Sequence, residues 1–263
     1  MRAFIAAALL CLLSVPVQGQ TLWSRPYEPN QIAVEALVPD ADDASVLSGA
    51  TFITATASLN ENVELLTELP LARYQPSNGD GSSTAVGNPF VGLGLSGTRI
   101  PILFQVGARI PAAPANAAAG IGNAADIGRT RAFNADEVVL SGLLNGRYEI
   151  SRQSTVRIRS GLSYASRPPA VDTLNSREHD WYLHYDAQLW REGTRLLTGL
   201  SLTGRSLLTS PGTSNHHLSL SMMANWDRVQ PGLVVGTSLN DLVQEGAFTP
   251  FAGLTLSVSY GRF

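Results

Sequence analysis

At 263 residues with a net charge of −3, the chain is long enough for one large domain and has no basic excess to draw it to nucleic acid. Charged residues make up 15% of it, against about 25% in an ordinary soluble protein, too few to cover a water-facing exterior. All 18 basic residues are arginines, and the single cysteine, Cys11, lies in a leading segment expected to be removed, so the mature chain is expected to have no disulfide framework, thiolate nucleophile or cysteine metal site.

The first element is a targeting segment. Met1-Arg2 precedes an apolar run from Ala3 to Val15 broken only by Ser14, and Val17-Gln18-Gly19 follows with compact residues. This reads as a secretory signal, residues 1–19, cleaved before Gln20. The run is shorter than the roughly 20 residues of a spanning helix. Cys11 lies inside it after bulky Leu10, which argues against a lipoprotein. Residues 20–263 form the mature domain, and no later stretch approaches about 18 consecutive apolar residues, so no transmembrane helix is expected.

From there the chain repeats one signal: short segments alternating apolar with small or polar residues, the period-two pattern of strands with one apolar face. Twelve strands are predicted, at 31–38, 46–58, 63–74, 88–97, 100–111, 136–150, 155–166, 179–190, 195–207, 216–226, 232–240 and 249–263, with ten as the alternative count. In the seventh, Val156, Ile158, Leu162 and Tyr164 share one face and Arg157, Arg159, Gly161 and Ser163 the other. In the tenth, Leu218, Leu220, Met222, Ala224 and Trp226 stand opposite His217, Ser219, Ser221, Met223 and Asn225. Leu254, Leu256, Val258 and Tyr260 alternate with polar neighbours in the last. The alanine-rich Pro111–Ala125, with two prolines and four glycine or asparagine breaks, reads as loop.

The connections alternate too. Short turns at Leu59–Asn62, Thr98-Arg99, Ser151–Ser154, Arg191–Thr194 and Asp227–Pro231 interleave with longer links at 39–45, 75–87, 112–135, 167–178, 208–215 and 241–248. Membrane barrels are built this way, with short periplasmic turns and longer extracellular loops. The strands suffice for the roughly 9–11 residues that cross lipid at a tilt. Aromatics gather near strand ends: Tyr148, Trp190, Trp226, Tyr260 and Phe263 at one rim, Tyr164, Trp181 and Phe251 at the other, as interfacial girdles do. The expected fold class is all-β: a transmembrane, antiparallel, up-and-down barrel of a Gram-negative outer membrane. Its expected surroundings are outer-membrane lipids and lipopolysaccharide, and its insertion calls for the barrel-assembly machinery. No cofactor and no metal are expected.

The final segment, Leu254 to Phe263, resembles the C-terminal sorting signal of outer-membrane barrels, although Phe263 is one step out of phase with Tyr260. More broadly, the chain resembles the outer-membrane barrels grouped as the MetA-pathway phenol-degradation, or transporter-like, family. The resemblance rests on Leu59-Asn60-Glu61-Asn62-Val63-Glu64-Leu65 running into Glu68-Leu69-Pro70-Leu71, then Gly87-Asn88-Pro89-Phe90-Val91-Gly92-Leu93 and Val106-Gly107-Ala108-Arg109-Ile110-Pro111. Gly87-Asn88 stands for the usual glycine-aspartate step, and Pro111-Ala112-Ala113 for the usual Pro-Thr-Gly. The resemblance implies a barrel and small-solute passage.

If apolar faces meet lipid, the opposite faces line the lumen. They carry Glu35, Glu64, Glu68, Arg109, Arg147, Glu149, Arg157, Arg159, His184, Asp186, Gln188, Arg195, Arg205, His217 and Asn225. Arg147, Arg157 and Arg159 are expected to concentrate positive charge in one sector, with Glu149 beside them. Such a lining could select permeants as a charged constriction. It could instead brace and close the lumen, in a structural or adhesive barrel. A third reading is a lipid hydrolase, because His217-Leu218-Ser219 resembles the His-x-Ser of outer-membrane phospholipases; their following Asn-Gly is replaced by Leu220-Ser221. The favoured expectation is a passive channel or transporter for small solutes, not an enzyme, its permeant unspecified.

Overall fold

The structure, a computed structural model, describes residues 30–41, 44–78, 81–96, 102–126, 128–129, 131–167, 179–210, 214–240 and 249–260. The expected signal segment, the Thr98-Arg99 turn, most of the link 167–178, the link 241–248 and Phe263 lie outside these residues.

The strands are β1 (Gln31–Pro39), β2 (Gly49–Ser58), β3 (Val63–Tyr74), β4 (Ser83–Val86), β5 (Phe90–Ser96) and β6 (Ile102–Arg109), followed by a helix, α1 (Ala117–Ala124). After it come β7 (Val138–Ser151), β8 (Ser154–Ser166), β9 (His179–Glu192), β10 (Leu196–Leu207), β11 (Ser214–Ala224), β12 (Val229–Ser238) and β13 (Pro250–Ser259). Neighbours in sequence pair antiparallel, and β1 pairs with both β2 and β13, so the sheet closes. β4 and β5 both pair with β3 and are two pieces of one strand, interrupted at 87–89, which gives a twelve-stranded cylinder. Gln31 lies opposite Ser259, so the first and last strands start and finish at the same rim, the one carrying the short turns.

The alternation decides which face is which. Ile158, Leu162, Leu189, Leu200, Leu220, Leu233 and Leu254 all stand outward and exposed. The opposite parity is buried and polar, as with Glu68, Gln105, Arg159, Asp186, Gln188, Ser221 and Ser257. An apolar wall around a polar interior inverts a water-soluble barrel and fits lipid, where every backbone group of the span must be paired within the sheet.

Four expectations are corrected. The strand predicted at 88–97 begins earlier and is split, because Pro89 has no N–H and Gly87, Asn88 and Pro89 leave the ladder. The last turn sits at 225–228, so β12 starts at Val229. Trp190 and Phe251 do not join the outer girdles: Trp190 is fully buried with Leu197 and Met223, and Phe251 packs inside with Leu37 and Val234. Tyr148, Trp181, Trp226 and Tyr260 do stand outward. Finally, Pro111–Ala125 is not all loop. Its alanines favour helix, and the Asn116 side chain accepts from the N–H of Ala119 at the N-cap to start α1. Among its described residues, the segment 110–137 folds back into the cylinder instead of standing clear of it: Ala118, Ala119, Ala125, Ala132 and Phe133 are buried beside Phe52 and Ala72.

Candidate functional site

The fourth strand's interruption anchors the in-folded segment. Asn88, wholly buried, donates from its side-chain nitrogen to the carbonyls of Arg131 (3.2 Å) and Asn134 (2.7 Å). Its side-chain oxygen accepts from the N–H groups of Ala112 (2.8 Å) and Ala113 (2.9 Å), and its own N–H donates to Ala132 O (2.6 Å). One side chain thus clasps both legs of the segment. Gly87 allows the approach: a Cβ there would lie 2.5 Å from Ala132 O and 2.9 Å from the Phe133 ring. Phe133 in turn meets Phe52 edge-on at 5.9 Å and covers Gly122 of α1, where no side chain would fit.

Below this anchor lies a buried four-group cluster. Arg129 donates to Glu35 on β1 at 2.5 Å and to Glu68 on β3 at 2.8 Å. Glu68 also accepts from Arg109 on β6 at 2.6 Å, and Arg109 reaches Asn88 O at 2.9 Å. The Arg129 guanidinium stacks 3.6 Å from the Phe52 ring centroid. Burial alone would weaken the Arg129 charge, but the carboxylates of Glu68 and Glu35 overcome it and hold its pKa above the ordinary guanidinium range. On the far wall, Gly128 O accepts from Arg159 (3.1 Å) and Arg129 O accepts from Arg205 (2.8 Å). The segment therefore ties β1 and β3 to β8 and β10 straight across the lumen.

A second ionic group sits nearer the long-link rim. Arg131, in the left-handed region at φ 52, pairs with Glu137 (3.2 Å) and Asp180 (3.0 Å) and bonds the Tyr182 hydroxyl. Burial pushes the Glu137 carboxyl up and the Arg131 guanidinium down, each only partly offset by the other. Burial likewise lifts Asp126 above the usual carboxylate range, although Arg205, Arg109 and the Ala132 N–H oppose it. Among the spaces that flank the segment, two bear on its role. One of about 50 Å³ lies among Leu66, Glu68, Phe90, Arg109, Arg129, Arg159 and His184. The other, about 320 Å³, lies on the rim side.

Of the residues named from sequence, Glu64, Glu68, Arg109, Arg157, Arg159, His184 and Asp186 are buried in the lumen, and Arg147 and Arg205 are half-buried there. Glu149 and Arg195 are exposed at the short-turn rim and line no interior space; the register shifts beside Glu149 as the strand runs out. The positive sector is largely neutralised. Arg159 pairs with Asp186 at 2.6 Å, and Arg147 turns to Glu192 at 3.1 Å, with Glu149 farther at 3.6 Å. His217 and Ser219 share the inner face, and the His217 ring sits edge-on to Phe251 at 6.3 Å, away from the outer wall. Sequence reasoning missed Asn88, Asp126, Arg129, Arg131 and Asp180. Arg129 and Arg131, in a loop of a chain so poor in charge, were the available signal.

No family model and no curated protein matches the chain. Solved structures do. The NanC porin superposes with a TM-score of 0.57 at 7% identity, covering 87% of this chain and 100% of its own. The KdgM porin gives 0.55 at 9% identity over 88% and 99%. An outer membrane channel from Pseudomonas putida F1 gives 0.52 at 15% identity over 92% and 99%. These likenesses establish the fold: a closed, twelve-stranded barrel of the outer-membrane type.

Proposed function

We propose that this chain is a narrow passive channel of a Gram-negative outer membrane for small polar solutes, with segment 110–137 as its constriction. The observation that carries the reading is an inward face to which most strands contribute buried polar or charged side chains, interrupted by apolar patches around Phe52 and Trp190, with a space of about 320 Å³ above the in-folded segment. Two of the similar structures are titled porins and one an outer membrane channel, and the sequence resemblance to the MetA-pathway family adds small-solute passage; both support the reading. On this reading the short-turn rim is periplasmic and the long-link rim extracellular. The apolar wall meets lipid and lipopolysaccharide, and the barrel-assembly machinery inserts the exported chain. The lumen-facing placement of His217 and Ser219 gives a lipid ester no access to them, which disfavours the hydrolase.

The test is current through the refolded barrel in a planar bilayer. Small discrete steps are expected, and Gly122→Val, which displaces Phe133, should enlarge them. Silence from both proteins would return the second reading, a closed structural barrel, which the Arg129 cluster favours. The orientation is checked separately: cysteine at Asn78 should react with an impermeant thiol reagent on intact cells, and cysteine at Asn62 only after the membrane is opened.

A further inference from the structure

The space of about 320 Å³ is walled by four parts of the chain: the in-folded segment (Asn123 on α1, then Asp126, Arg131 and Asn134), β9 (Tyr182), β10 (Arg205, Leu207) and β11 (Asn215). Its size is at the lower end of the roughly 300–1,000 Å³ of small-ligand sites. Asn123 and Asn215 are exposed, so it opens toward the long-link rim.

The groups facing it are not equivalent. Arg131 is already balanced by Glu137 and Asp180. Arg205 is not. It spends one nitrogen on a backbone carbonyl, Arg129 O at 2.8 Å, and its nearest carboxylate, Asp126, is 4.0 Å away. Its other nitrogens bond no described residue, while a quarter of its side chain remains exposed. Asp126 accepts from Ala132 N–H with Oδ2, but Oδ1 is buried without a protein partner among the described residues. A polar atom in that condition costs free energy unless something bonds it. Asn215 lies directly across from Arg205 in the β10–β11 register. The wall thus offers an under-used guanidinium for a carboxylate, an unpartnered oxygen for a hydroxyl, and carboxamides for further hydroxyls.

We propose that this space is a recognition site for a small hydroxylated carboxylate, its carboxylate on Arg205 and a hydroxyl on Asp126 Oδ1. The proposal rests on the channel reading only for its purpose, as the place where a permeant is sorted before the constriction; binding itself does not require conduction.

Gluconate is the probe, titrated calorimetrically into the detergent-refolded barrel, with sorbitol as the neutral analogue lacking only the carboxylate. Gluconate should bind with a Kd on the order of 1 mM or tighter, and sorbitol at least tenfold more weakly. Arg205→Gln should weaken gluconate at least tenfold. Because Arg205 also holds the in-folded segment, Asn215→Leu provides the second arm: it fills the space from β11, where Asn215 makes no hydrogen bond to the described residues of the segment, and should abolish binding in a barrel that keeps its heat-modifiable gel mobility. Equal binding of sorbitol and gluconate, no heat with gluconate, or unchanged affinity in Asn215→Leu would each overturn the proposal. A barrel that binds gluconate yet passes no current keeps the site and loses the channel; one that conducts without binding does the reverse.

Discussion

β8 and β9 run side by side with all thirteen residues of β8, Ser154–Ser166, paired to β9 without a break. A few strands away, β4 and β5 share the work of one strand in pieces of four and seven residues, with Gly87, Asn88 and Pro89 outside the ladder. Where the ladder is unbroken, backbone groups are consumed by neighbours and the side chains simply sort into wall and lumen. At the break, Asn88 gives its backbone N–H, its carbonyl and its whole side chain to residues from another part of the chain. A gap in a sheet is thus a place where tertiary contacts can be attached without disturbing the register.

The comparison can be broken at either end. The largest effect is expected where the in-folded segment meets charge. Arg129→Met removes the guanidinium that Glu35 and Glu68 share, and should cost about 3–5 kcal/mol in reversible unfolding from lipid vesicles, the penalty of breaking a buried ion pair from one side. A loss under about 1 kcal/mol would mean that the cluster does not hold the segment. Next comes the unbroken wall: Leu162→Arg on β8 places a charge on the lipid face and should cost about 2–4 kcal/mol while leaving conductance unchanged. At the break, Asn88→Ala takes the partner from partly buried backbone groups at Arg131, Asn134 and Ala112 and from the buried N–H of Ala113, and should cost about 2–3 kcal/mol. Unlike the β8 variant, it should also enlarge or destabilise the current steps; steps identical to the parent's would separate the anchor from the constriction. The smallest effect belongs to Glu149→Gln, whose side chain is half exposed at the rim, with a change within about 0.5 kcal/mol.

How much of this could be read beforehand follows from the range of each interaction. The wall was legible because period two is a local property: Ile158 and Leu162 face lipid whatever lies across the barrel. The same parity already placed Trp190 with Asp186 and Gln188, and Phe251 with Thr255 and Ser257, so both aromatics were readable as inward; position near a strand end misled. The in-folded segment was not legible. Arg129 meets Glu68 across 61 positions and Glu35 across 94, and nothing in a window of neighbours reports such pairings. Nor was α1 read, since its eight residues, with Ile121 the one large apolar side chain among alanines and glycines, carry no broad apolar stripe, and packing on β2, β3 and β4 adds to what the alanines and the Asn116 cap supply. Glu149 and Arg195 obey the lumen parity but lie beyond the point where the lumen begins.

The bracing across the lumen also sets an order of assembly. β3 and β9 are five strand-steps apart around the sheet, so at about 4.8 Å per step an unrolled sheet would hold them roughly 24 Å from each other. Segment 110–137 touches Glu68 on one and Asp180 on the other through residues only two apart, Arg129 and Arg131. It can make both contacts only after the sheet has curled, and its bond to Glu35 further needs β1 in place beside β2. Docking of the segment is therefore a late event that reports a finished cylinder, and its amides should gain protection from deuterium only after those of β8 and β9 have done so.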